Sequence, residues 1–192
     1  NAFYFPLDWQ LNICYEIVDF LDKMKPKEPV DGMAPDRVMM GALAGVVLHE
    51  VGHGIFDLLH VPVFGREEDA ADQFAAFLAL QFDPDTAKTV VTGMAYTHLV
   101  LQNVGIGVVV DRRSFSDEHG TAAQRFYNIL CIAYGSDPAT FASAAEPDVL
   151  PPERVAGCKA EYAQVRDAFY KTVFPSIDPA KLKLVQSVKW LP

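Results

Sequence analysis

The chain has 192 residues, a formal net charge of −9 at pH 7 and a sequence pI near 4.9. That length suits one domain spanning 1–192, long enough to bury roughly 70% of its unfolded surface without a disulfide lattice. An acidic chain without a basic stripe is a poor partner for nucleic acid, which needs clustered Lys and Arg on its phosphates. No apolar run approaches the ~20 residues that cross a bilayer, so a transmembrane protein is not expected.

Asn1 to Pro6 and Leu11 to Cys14 read as short strands, joined by a hairpin connection at Leu7-Asp8-Trp9-Gln10. Apolar spacing through Ile17, Val18, Phe20 and Leu21 predicts a helix over Tyr15 to Lys25, broken by the prolines that follow. Asp31 to Pro35 is a loop. A long helix runs from about Asp36 to His60 and is apolar nearly all round from Val38 to Leu48, as a central buried helix would be. Gly65 then marks a turn before a helix over Arg66 to Phe82. Asp83-Pro84-Asp85 starts another, running to about Asn103, with a capping Asp and a first-turn Pro. Gly105 to Val110 reads as a strand or buried connection, and Asp111 to Gly120 as a polar loop. Thr121 to Tyr134 is a helix closed by Gly135. A short helix over Asp137 to Ala145, a Pro-rich loop, a last helix over Glu153 to Phe174 and an irregular tail complete the chain.

Chemistry concentrates in His49-Glu50-Val51-Gly52-His53. Residues four apart share a helix face, so His49 and His53 present two imidazoles to one point, where neutral ring nitrogens ligate zinc. Glu50 is placed to take a proton from a water beside the metal and to pass one to a leaving group. A third ligand is required, with a fourth position open. The acidic start of the next helix, Glu67-Glu68-Asp69-Ala70-Ala71-Asp72, supplies it. Glu68 and Asp72 are also four apart. Glu68 is assigned as ligand, and Asp72 as the carboxylate that accepts the free N–H of a ligand histidine. Glu67 and Asp69 are the rival ligands. A solvated acidic helix start would also suit the macrodipole, but the Ala and Phe residues among these acids make a nearby cation the better account.

This combination resembles the gluzincin metallopeptidases, in which a His-Glu-x-x-His motif is followed by Glu-x-x-x-Asp. The resemblance implies Glu68 as third zinc ligand and Asp72 as support for the first histidine. Asn1-Ala2-Phe3-Tyr4 is similar to the Asn-Ala-aromatic-aromatic run of thermolysin-like and neprilysin-like enzymes, where an edge strand holds the peptide. Asn1 and Ala2 are thus implied as substrate-binding. The segment His119-Gly120-Thr121-Ala122-Ala123-Gln124-Arg125 is similar to one in bacterial neutral zinc metallopeptidases. From Asn1 to about Tyr162 the chain looks like a bacterial metallopeptidase family. His119 is implied as the late histidine that stabilises the oxyanion, and Arg125 is a further candidate at the substrate.

Three cysteines, Cys14, Cys131 and Cys158, contain no C-x-x-C pair, which argues against a Cys-ligated zinc. Cys131 and Cys158 fall in adjacent predicted helices and are candidates for a bridge, leaving Cys14 free. A bridge, the resemblance and the strand-like start at Asn1 together imply an exported protein with its signal removed, the cytoplasm being the alternative. The expected fold is a mainly helical α+β, zincin-like single domain with a small N-terminal sheet. The expected function is zinc-dependent hydrolysis of a peptide or protein substrate with one zinc ion. The alternatives are a catalytically silent zincin that binds a partner and a zinc hydrolase of non-peptide acyl bonds.

Overall fold

The computed structural model describes residues 1–104, 116–188, 190 and 191. Two short strands, β1 (Ala2–Phe5) and β2 (Gln10–Ile13), form an antiparallel hairpin with Ala2 opposite Ile13 and Phe5 opposite Gln10. Seven α-helices follow among the described residues: α1 (Tyr15–Met24), α2 (Pro35–Leu58), α3 (Glu67–Ala79), α4 (Pro84–Val104), α5 (Ala122–Ser136), α6 (Pro152–Thr172) and α7 (Pro179–Ser187).

Local sequence explains most boundaries. Pro35 opens α2 at a first-turn position where its missing N–H costs nothing. The helix ends at Leu58, and His60 takes a left-handed φ of 51° just before Val61-Pro62. Asp83 accepts the backbone N–H of Thr86 at the start of α4. A reciprocal capping box between Thr121 and Gln124 fixes the start of α5.

The centre is helix packed on helix. Ala75, Ala76 and Ala79 of α3 meet Val90, Val91 and Met94 of α4 and Phe126, Ile129 and Ile132 of α5 in one cluster. A second, aromatic cluster joins Phe56 of α2, Phe74 and Phe77 of α3, and Phe169 of α6. The α2–α4 contact is closer than side chains would allow. A Cβ on Gly41 would lie 2.0 Å from the Thr89 carbonyl oxygen, and one on Gly93 would lie 2.1 Å from the Ala42 nitrogen. Length and a mean hydropathy of 1.4 would by themselves qualify α2 for a membrane span. The sequence reading missed this because a window average tolerates the few charges that interrupt the apolar run. In the fold, α2 is the central helix, flanked by α1, α3, α4 and β1.

Cys131 of α5 and Cys158 of α6 are bonded, with S–S at 2.04 Å, and Cys14 is a free thiol. Gly135 lets the same two helices touch, because its Cβ would lie 2.2 Å from the Cys158 carbonyl oxygen.

Three expectations change. Gly135 does not close α5, which runs on through it to Ser136. The tail is not irregular: a 3-10 turn at Phe174–Ser176 leads into α7, whose start is capped by the Asp178 side chain on the Ala180 N–H. The stretch Asp137 to Ala145 holds only a 3-10 turn at Ala142–Ala145, because the Asp137 carboxylate captures the Ala139 and Thr140 N–H groups in a local turn. The segment Gly105 to Val110 and the residues up to 115 lie outside the described residues.

Gly41→Ala must push backbone against backbone, so it is expected to destabilise the protein by about 1–3 kcal/mol in urea unfolding. Cys131→Ser with Cys158→Ser should cost about 2–4 kcal/mol in the same assay, and dithiothreitol should reproduce that loss in the wild type.

Candidate metal centre

The mid-part of α2 and the first turns of α3 lie side by side, and their small residues set the distance. A Cβ on Gly52 would be 3.2 Å from the Phe74 ring and 3.5 Å from the Ala71 Cα. Gly54 makes the same allowance for β1, with its missing Cβ 3.2 Å from the Tyr4 ring. Both glycines weaken the helix but let a neighbouring element approach it. The Tyr4 hydroxyl donates to Asp57 at 2.8 Å and ties β1 to the end of α2.

At this seam His49, His53 and Glu68 bring three ligating atoms within 4.8 Å of one another. The two Nε2 atoms are 3.2 Å apart. Glu68 Oε2 is 3.1 Å from the first and Glu68 Oε1 is 3.4 Å from the second. Tetrahedral ligands on zinc at 2.0–2.1 Å stand about 3.3 Å apart, so the donor set and its spacing fit that ion. The remote ring nitrogens are also held. His49 Nδ1 is 2.9 Å from Asp72 Oδ1, and His53 Nδ1 is 2.8 Å from Glu67 Oε1. These carboxylates aim both Nε2 atoms inward.

Asp72 is buried, with 5% of its side chain exposed, and is gripped by Arg125 of α5 through Nε at 2.5 Å and Nη2 at 2.6 Å. The start of α5 thereby joins the site. Just before it, His119 places Nε2 3.0 Å from Glu68 Oε2 and Nδ1 3.0 Å from Asp117. Arg66 holds that stretch by donating to the His119 carbonyl at 3.2 Å while pairing with Asp69 at 2.8 Å.

Electrostatics follow from these contacts. Burial disfavours the charged form of His49, but hydrogen bonds to Asp72 and Glu68 outweigh it and raise its pKa to about 9. His53 is also raised, chiefly by Glu68. Burial opposes ionisation of Glu68 and Asp72 as well. Hydrogen bonds from His49, joined by His53 at Glu68 and by Arg125 at Asp72, hold both far below the usual carboxylate range. A proton on His49 therefore sits where a cation fits.

The cluster opens on a cleft of about 800 Å³. Asn1, Ala2, Glu50, His119 and Arg125 all line it, together with the ligand candidates. Glu50 has no ion pair or hydrogen bond among the described residues and is free to meet a solvent molecule. Arg125, expected at the substrate, has Nε and Nη2 on Asp72 instead. Glu67 and Asp69, the rival ligands, face His53 Nδ1 and Arg66. Sequence reasoning did not assign Glu67 to His53 or Asp117 to His119. The spacing Asp117-x-His119 was the available signal for the second, and the side on which Glu67 leaves the helix start was not readable for the first.

Residues 1–172 match the family described as "Putative metallopeptidase" (DUF4344). No curated protein and no solved structure gives a match.

Two outcomes are expected. In chelator-treated protein, the raised His49 pKa contributes stability that is complete below its unfolded value of 6.5 and is lost as pH rises through about 9. Thermal scans of the metal-free protein should show its Tm falling across that window, and zinc should remove the slope by replacing the proton. Glu67→Ala frees the His53 ring and should weaken zinc binding about 10–100-fold in a chelator competition.

Proposed function

The chain belongs to this "Putative metallopeptidase" family, and on that premise we propose that it is a zinc-dependent peptidase of the gluzincin type with a zincin-like fold. One observation carries the reading. His49, His53 and Glu68 converge at zinc-ligand spacing while each histidine is braced by its own carboxylate. A buried site built only to satisfy two histidines would not need Glu50 free in the adjoining cleft.

When bound, zinc would polarise the scissile carbonyl and make a water acidic enough to attack it near neutral pH. The protein's own groups do the rest. Glu50 takes a proton from the attacking water as the new C–O bond forms, then delivers it to the amine nitrogen as the C–N bond breaks. His119, with Nε2 beside Glu68 and its ring fixed by Asp117, donates to the charge that builds on the carbonyl oxygen. The edge of β1 away from β2 carries no strand among the described residues. An extended peptide adds along that edge, with Asn1 and Ala2 at the cleft as its contacts. Arg125 acts mainly through Asp72, and its place in the cleft wall supports a substrate contact as well. The Cys131–Cys158 bond favours an exported location, because cytosolic thiols are kept reduced.

Zinc-loaded wild type is expected to cleave a quenched-fluorescent peptide library. Glu50→Gln should keep about one zinc per chain and lose about 10²–10⁴ in kcat. Hydrolysis that survives this change would refute the assigned base. A fully zinc-loaded wild type that cleaves nothing would instead favour a silent, partner-binding protein.

A further inference from the structure

His98 of α4 plays no part in the mechanism above. It lines the cleft with 8% of its surface exposed, and its buried Nδ1 has no hydrogen-bond partner among the described residues. It shares that cleft with the ligand candidates His49, His53 and Glu68, and the charges of Arg125, Asp72, His49 and His119 reach it. The same cleft is also lined by the apolar side chains of Ile17 and Phe20 of α1, Ala42 and Val46 of α2, and Met94 and Leu101 of α4.

Burial, joined by the Arg125 charge, pushes His98 down to about 4, so the imidazole is neutral at physiological pH. A neutral imidazole offers one N–H donor and one lone-pair acceptor. Leaving one of them buried and unmet costs stability that an apolar ring of similar size would not. A peptide entering the cleft brings the complementary need, since main-chain N–H and C=O groups that leave water there require partners.

We propose that His98 is a substrate-binding residue that hydrogen-bonds a main-chain amide of the peptide bound in this cleft. This rests on the peptidase reading and deepens it by naming a residue that holds the substrate main chain. The ring touches substrate away from the reacting atoms, so its loss should weaken binding in the ground and transition states alike.

The test compares zinc-loaded wild type, His98→Phe and His98→Asn. Readouts are zinc content, Tm, steady-state cleavage of a quenched peptide with leucine beside the scissile bond, and calorimetric binding of a leucyl dipeptide hydroxamate. His98→Phe should keep its zinc, melt at or above wild type, and show KM and hydroxamate Kd raised about tenfold with kcat within about twofold. His98→Asn, which keeps a donor and an acceptor, should recover part of that loss. Unchanged KM and Kd in His98→Phe would overturn the proposal, as would a lower Tm with zinc loss in both variants, which marks a structural histidine. If zinc-loaded wild type neither cleaves peptide nor binds the hydroxamate, the peptidase reading fails and this assignment falls with it. Wild-type turnover with unaltered variants removes this assignment alone.

Discussion

A single buried carboxylate is shared between a histidine of α2 and an arginine of α5. Asp72 sits on α3 between the two, and its negative charge is sustainable there only because His49 and Arg125 both donate to it. The contact fixes three things at once: the ring orientation of a ligand candidate, the distance from α2 to α3, and the approach of α5. Taking away either donor leaves an ion in a nearly dry place. The geometry of the cluster is therefore coupled to the packing of the helices that carry it.

Small residues make that coupling possible. The face of α3 toward the centre is Ala71, Ala75, Ala76 and Ala79, each without measurable exposure. Gly52 lets the α2 backbone come up to it. Short polar side chains such as those of Asp72 reach across a seam only when the backbones are this close. The glycines of α2 thus trade helix propensity for proximity. The aromatic cluster on one flank and the aliphatic cluster on the other supply the apolar burial that holds the seam shut.

Much of this was legible in the sequence. The long central helix, the two imidazoles four apart and the acidic helix start after Gly65 are local patterns with fixed geometric meaning. The juxtaposition of His49, His53 and Glu68 follows from them once the two helices are packed antiparallel across a short connection. The Cys131–Cys158 pairing followed from two adjacent helices and an odd cysteine left over. What escaped were contacts that depend on the direction of a side chain rather than on its spacing. Glu67 and Glu68 are neighbours on one turn, and only the packed structure distributes them between the back and the front of the histidines. The Arg125 grip on Asp72 joins residues 53 positions apart and leaves no periodic trace. The α7 helix escaped because its mixed polar and apolar residues have little amphipathic signal and no fully buried member.

The hairpin and α1 stand apart from this tightly determined interior. Leu21 is the one buried residue of α1, yet Ile17, Phe20 and Leu21 form a wall of the cleft. One side of the cleft is therefore built from a helix with little stake in the core, and the opposite side from helices whose every contact is constrained. Inherited variation meets these two sides unequally. Changes on α1 can reshape the cleft wall without touching the ligand cluster, whereas a side chain at Gly41 or Gly93 runs into backbone. The boundary of the cleft and the geometry of the cluster can therefore change independently of each other.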